Sequence, residues 1–242
     1  MLKYHRHFVP EEKDLTFYLC THRDLELLEI CLNSLRHSYP NSRAIVVSDG
    51  DRNPKIVTIC DQFGCEFHMG EWLYGLSHGG QRIHRMLGLF FKNPSRFLVK
   101  IDTDTKVCRP FSDFFLDKPC VFGSLIQVQD QNHAFIQGGC VIYHIEAARM
   151  LYRNESFLDS SLIENPYQWA HYEATFWKID NGYISEDQLN AHCVRKLGIS
   201  MLDHPEIKSF SSDWQGIVSA RELLGLNDFA VIHPCKAKMS VW

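Results

Sequence analysis

The chain has 242 residues, 45% of them apolar, which is enough for one sizeable α/β domain and too apolar for a disordered segment. A formal charge of −4 with no cluster of lysine and arginine leaves no electrostatic footprint for nucleic acid or an anionic membrane surface. The nine cysteines are scattered, with no C-x-x-C pair and a closest pair at Cys60 and Cys65, so they read as reduced thiols.

The opening MLKYHRHFVPEEKD is too charged for a signal peptide, and no apolar run approaches the ~18 residues of a membrane span. A cytoplasmic protein is the expectation. From there the pattern alternates strand and helix. Leu15 to Cys20 reads as a buried strand, and Asp24 opens a helix with Leu25, Leu28, Leu32 and Leu35 at helical spacing, closed before Pro40. Ala44 to Val47 is a second strand ending in Ser48-Asp49-Gly50. A helix over Lys55 to Phe63 follows, then a short strand from Cys65 to His68 and a helix from Gln81 to Phe91 behind Gly79-Gly80. Phe97 to Ile101 is the next strand, and it delivers Asp102 and Asp104. This βαβαβ series predicts a parallel sheet with ligands at the carboxyl ends of its strands, where Thr21 to Asp24, Asp49 and the two aspartates fall.

Farther on, Val121 to Val128 and Cys140 to Tyr143 read as strands, the second introduced by Gln137-Gly138-Gly139. Ile145 to Tyr152 and Ser185 to Gly198 read as helices. Between them Trp169, Trp177 and Tyr183 belong to an aromatic stretch that reads as core, with stacking on a bound ligand as the alternative. The chain shows no internal repeat or linker, so residues 1–242 form a single domain.

The chemistry concentrates on a few positions. In an extended chain residues i and i+2 point the same way, so Asp102 and Asp104 can converge on one hard cation. Three other readings stand beside that one. Aspartate favours turns without any ligand, and a calcium loop counted from Asp102 wants glycine where Val107 stands. Asp-Thr-Asp-Thr after an apolar strand is also similar to the nucleophile motif of aspartate-based phosphatases, with Asp102 attacking, although that leaves the preceding residues unexplained. Ser185-Glu186-Asp187-Gln188 is a capping box and equally a candidate acidic pair. Arg82 and Arg85, three apart, share a helix face that is either solvated or turned to a ligand. Gly138-Gly139 is either a turn or a close backbone approach, and His233 either an interior histidine or a ligand.

Taken in order, FYLCTHRD, VVSDG, GGQRIHRMLGL, FLVKIDTDT, QGG, SEDQLNAHCVRKLG and VIHPCK resemble the nucleotide-diphospho-sugar transferases of the GT-A fold, over roughly Leu15 to Lys236. The resemblance implies an α/β, GT-A-like fold, a Rossmann-type mixed sheet flanked by helices. About residues 15–104 would be the nucleotide-sugar half and about 105–242 the acceptor and catalytic half. It implies Mn²⁺- or Mg²⁺-dependent transfer from a UDP- or GDP-sugar to the hydroxyl of a glycan or other acceptor. Asp104 would be the direct metal ligand, Asp102 would meet the ribose or the metal, and His233 would add a late metal or phosphate contact. Thr21, Arg23, Asp49, Arg82, Arg85, Gly138 and Gly139 would line the nucleotide sugar. Asp187, with Glu186 beside it, would be the base of an inverting reaction. A non-catalytic nucleotide-sugar or glycan-binding module on the same fold is the remaining rival.

Overall fold

The structure, a computed structural model, describes residues 7–73, 78–128, 130–158, 186–209 and 228–233. In chain order its strands are β1 (His7–Phe8), β2 (Leu15–Thr21), β3 (Arg43–Asp49), β4 (Glu66–Gly70), β5 (Phe97–Asp102), β6 (Lys106–Val107), β7 (Phe115–Leu116), β8 (Cys120–Val128), β9 (Asp130–His144), β10 (Ser200–Asp203), β11 (Ile207–Ser209) and β12 (Val231–His233). The α-helices described are α1 (Leu25–Ser38), α2 (Pro54–Gln62), α3 (Gly79–Phe90), α4 (Ile145–Asn154) and α5 (Glu186–Lys196).

Seven strands form the central sheet in the order β10-β8-β9-β5-β2-β3-β4. β5, β2, β3 and β4 run parallel, as the helix-linked series requires, while β9 is antiparallel to both β5 and β8. Both faces are covered, which is why β2 and β3 read as continuous apolar runs. Phe17, Leu19 and Val46 pack on one face against Leu28, Leu32, Leu35, Ile56 and Cys60 of α1 and α2. Tyr18, Ile45 and Val47 pack on the other with Ile83, Leu87, Leu151, Leu189 and Val194 of α3, α4 and α5.

The helix boundaries have local causes. α1 stops at Tyr39 before Pro40, a residue whose ring disfavours helix in the residue ahead of it. α2 begins with Pro54 at its first turn, and the Asn53 side chain accepts a hydrogen bond from Lys55 N. Asp24 precedes α1 as expected, but its side chain makes no capping bond.

β9 departs from the sequence reading. It is one continuous strand from Asp130, so Gly138 and Gly139 lie inside it and do not form a turn. A second, three-stranded sheet, β11-β12-β6, matters for the site. β12 pairs antiparallel with β6 through Val231↔Val107 and Ile232↔Lys106, which carries His233 back along the chain toward Thr105 and Asp104. The eight described cysteines are free thiols. Among the described residues no helix is long and apolar enough to cross a membrane. The helix-cap serine Ser185 and the aromatics Trp169, Trp177 and Tyr183 lie outside the described residues.

Candidate active site

β5 ends at Asp102, and the chain turns at once: Thr105 N donates to Asp102 O at 3.1 Å. The two aspartates are therefore brought together by a tight turn, not by the pleat of an extended strand. The turn reading of Asp-x-Asp holds, and the same turn leaves both carboxylates placed where they could hold a cation. His233, delivered by β12, closes the group, with Nε2 3.1 Å from Asp104 Oδ1 and 3.6 Å from Asp102 Oδ2. One donor atom from each of Asp102, Asp104 and His233 lies within 4.8 Å of the others. Two carboxylate oxygens and an imidazole nitrogen suit Mn²⁺ and, less closely, Mg²⁺, so the residues present fit the implied cation.

Next to this group stands Lys100, 7% exposed. Its ammonium lies 2.7 Å from Asp102 Oδ1 and 3.7 Å from Glu186 Oε1, and donates to the Gly138 carbonyl. Burial works against that charge, but Asp102, Glu186 and Asp187 together outweigh it and hold the Lys100 pKa above its ordinary value. Glu186 also pairs with Arg82, Oε2 to Nη1 at 3.3 Å.

Asp187, the second residue of α5, has a carboxyl pushed up to about 6. Burial is the main cause, Lys100 opposes it, the Glu186 and Asp102 charges add to it, and a backbone hydrogen bond from Gly138 pulls it back.

The glycines of β9 make this crowding possible. A Cβ on Gly138 would stand 2.1 Å from Asp187 Oδ1, and one on Gly139 would stand 1.9 Å from His233 Cγ. Glycine in a strand interior marks a close approach by another group; here the Asp187 carboxylate and the His233 ring occupy the space. Gly138 and Gly139 thus place two candidate site residues directly.

Arg82, Asp102, Asp104, Gly138, Gly139, Glu186, Asp187 and His233 line one cleft of about 490 Å³. The other four expected residues do not line it. Thr21 is buried at the end of β2, and Arg23 is exposed in a left-handed conformation at φ 64° where the chain turns into α1. Asp49 and Arg85 satisfy each other at 3.0 Å. Asp49 also accepts from Leu73 N, and Arg85 donates to Glu71 O, so the pair fastens the segment after β4 to the end of β3.

Sequence reasoning gave no site role to Lys100, Cys20 and Gln137, and placed Asp24 only among the residues at the strand ends; all four are in the cleft wall. A lone charge in an apolar strand, two residues before Asp102, was the available signal for Lys100. Gln137 offers none, and its Oε1 is buried without a partner.

No protein-family model and no curated protein matches the sequence. Solved structures do match the fold. The galactosyltransferase LgtC, solved in complex with donor and acceptor sugar analogs, superimposes with a TM-score of 0.58 at 12% identity, over 94% of this chain and 91% of its own. The fold is that of the GT-A glycosyltransferases. A mannosyltransferase from Pyrobaculum calidifontis, PcManGT, solved with GDP-Man and Mn²⁺, also matches, with a TM-score of 0.47 at 12% identity over 85% of this chain and 59% of its own. On this GT-A frame the cleft draws its residues from the end of β5, the middle of β9, the start of α5 and the end of β12.

Proposed function

We propose that the protein is a divalent-cation-dependent glycosyltransferase. It moves a sugar from a UDP- or GDP-sugar to the hydroxyl of a glycan or other acceptor, with inversion at the anomeric carbon. The observation that carries this reading is the convergence of Asp102, Asp104 and His233, beside the acidic pair of α5, in one cleft of a GT-A fold. The donor and acceptor analogs bound by the structurally similar LgtC support the substrate class.

Asp102, Asp104 and His233 would hold Mn²⁺ or Mg²⁺, which supplies the positive charge that a departing nucleoside diphosphate needs. Asp187 is the base. With a pKa of about 6 it is ionised at neutral pH yet basic enough to take the proton of the attacking hydroxyl. Glu186 is shared between Arg82 and Lys100 and therefore positions its neighbours. The guanidinium donors of Arg82 that Glu186 does not use suit diphosphate oxygens. Gly138 and Gly139 leave room beside β9 for the Asp187 carboxylate and the His233 ring, and so set both groups at the cleft. Asp49 and Arg85 would act on the nucleoside end indirectly, by fixing the segment after β4, while Thr21 and Arg23 stand outside the cleft.

The test is turnover of UDP-galactose, UDP-glucose and GDP-mannose with Mn²⁺ and a panel of sugar acceptors, with the product's anomeric configuration read by NMR. The reading predicts Mn²⁺-dependent transfer and an inverted product. A product that keeps the donor's configuration removes Asp187 from the role of base, and release of inorganic phosphate with a phosphorylated Asp102 replaces glycosyl transfer with phosphoryl transfer.

A further inference from the structure

Lys100 interrupts the apolar run Phe97-Leu98-Val99-Lys100-Ile101 and is buried at 7% exposure. Placing an ammonium there is costly unless its donors are used. They meet groups on three elements: Asp102 Oδ1 on β5 at 2.7 Å, the Gly138 carbonyl on β9, and Glu186 Oε1 on α5 at 3.7 Å. The Asp102 contact is selective. Oδ1 goes to Lys100, while Oδ2 is the oxygen 3.6 Å from His233 Nε2. A charge-balancing lysine would need one carboxylate; this one joins the cation site to the first turn of the helix that carries Asp187.

We propose that Lys100 is a positioning residue for glycosyl transfer, holding one oxygen of Asp102 and the Glu186 carboxylate so that the acidic pair of α5 stays in register with the cation site; the proposal rests on the transfer reading above. Two consequences follow from the geometry. Asp102 presents a single oxygen toward His233 and Asp104, and α5 faces β5 across a point cation that is held at close range by Asp102 and the Gly138 carbonyl and forms an ion pair with Glu186. Removing the ammonium therefore does two opposite things. It frees Asp102 Oδ1 and takes a positive charge away from the cation site, which favours divalent-cation binding. It also leaves Glu186 held by Arg82 without Lys100, so the acidic pair loses its register and transfer slows.

The experiment uses the full chain with Lys100→Met and Lys100→Ala. Mn²⁺ alone is titrated by electron paramagnetic resonance. Release of UDP or GDP from UDP-galactose, UDP-glucose and GDP-mannose is followed separately. The expected result is an unchanged or tighter Mn²⁺ affinity and a kcat lower on the order of 10²-fold, the scale of a misplaced group, with a smaller change in donor KM. Ethylammonium, which can refill the space, restores part of the Lys100→Ala rate and ethanol does not. Glu186→Gln loosens the same link without altering β5, and predicts a loss of kcat at unchanged Mn²⁺ affinity even where the Lys100 variants do not fold. The proposal is overturned by a Lys100→Met enzyme with wild-type kcat, by Mn²⁺ affinity that falls together with kcat, or by equal rescue with ethanol. A wild-type protein that binds no Mn²⁺ and turns over none of the three donors contradicts the transfer reading itself, and the proposal with it; an active wild type matched by its variants contradicts the Lys100 proposal alone.

Discussion

The two ends of the central sheet treat charge in opposite ways. At the amino-terminal end, Arg36 spends its guanidinium on the carbonyls of Phe63 and Ser42, each at 2.7 Å, and of Tyr39 and Gly64, each at 3.2 Å. It thereby ties the end of α1 to the segments that lead into β3 and β4. Nearby, Arg43 grips Glu66 through two hydrogen bonds of 3.0 and 2.6 Å. At the carboxyl end, five carboxylates, Asp24, Asp102, Asp104, Glu186 and Asp187, line one cleft with Lys100 and Arg82. Gln137 Oε1, Arg82 Nε and His233 Nδ1 are buried there without partners. A region whose guanidinium donors are spent on carbonyls and a carboxylate of the fold is built for stability. One that leaves like charges together and polar atoms unanswered is built to receive something.

Substitutions at the two ends should therefore separate rate from stability. The largest expected effect is Asp187→Asn, a kcat loss on the order of 10²-fold or more, because the amide cannot accept the acceptor's proton. Its melting temperature should hold or rise, since the folded state raises the Asp187 pKa and so disfavours the ionised form at neutral pH. Wild-type kcat should in turn fall about tenfold per pH unit below about 6. A pH profile flat between 7 and 5 would break the assignment.

Arg36→Met should do the reverse. Losing the donors to four carbonyls costs on the order of 3 kcal/mol of stability, readable by urea unfolding, while turnover per folded molecule is unchanged. A comparable loss of kcat in Arg36→Met would dissolve the distinction between the two ends.

An effect on stability that appears only as pH falls concerns His204, 1% exposed among Phe111, Phe114, Phe115 and Phe122. Burial pushes its pKa down to about 4; the Arg109 charge works the same way, and Glu206 and Asp203 oppose it. The folded pKa lies below the unfolded one, so the unfolded chain takes the proton first. Stability is whole above the unfolded pKa and declines as pH falls toward about 4, by up to about 3 kcal/mol. Chemical denaturation at pH 7 and pH 4.5 measures it, and His204→Phe should flatten the dependence.

How much of this was legible in the sequence follows from the same physics. β2, β3 and β5 are buried on both faces, so each announced itself as an apolar run, and α1 carried its leucines at helical spacing. β9 did not. Its first residues, Asp130-Gln131-Asn132-His133, give no apolar alternation, and pairing with β8 makes them strand, so the sequence left Gly138-Gly139 open between a turn and a close backbone approach. The convergence of Asp102 and Asp104 was visible because a single residue, Thr103, separates them. The approach of His233 depends on the β12–β6 register, and the contacts of Lys100 lie 38 and 86 positions away along the chain; neither leaves a local mark.

The central claim is that the carboxyl-end cleft binds a nucleoside diphosphate through a divalent cation held by Asp102, Asp104 and His233. Isothermal titration of UDP and GDP into the wild type and Asp104→Asn, with and without Mn²⁺, tests it most directly. The account predicts nucleotide binding that requires Mn²⁺ in the wild type, and that weakens on the order of tenfold or more in Asp104→Asn at unchanged melting temperature, the scale of losing one ligand of a charged site. Equal nucleotide affinity with and without Mn²⁺, or in the wild type and the variant, would contradict it.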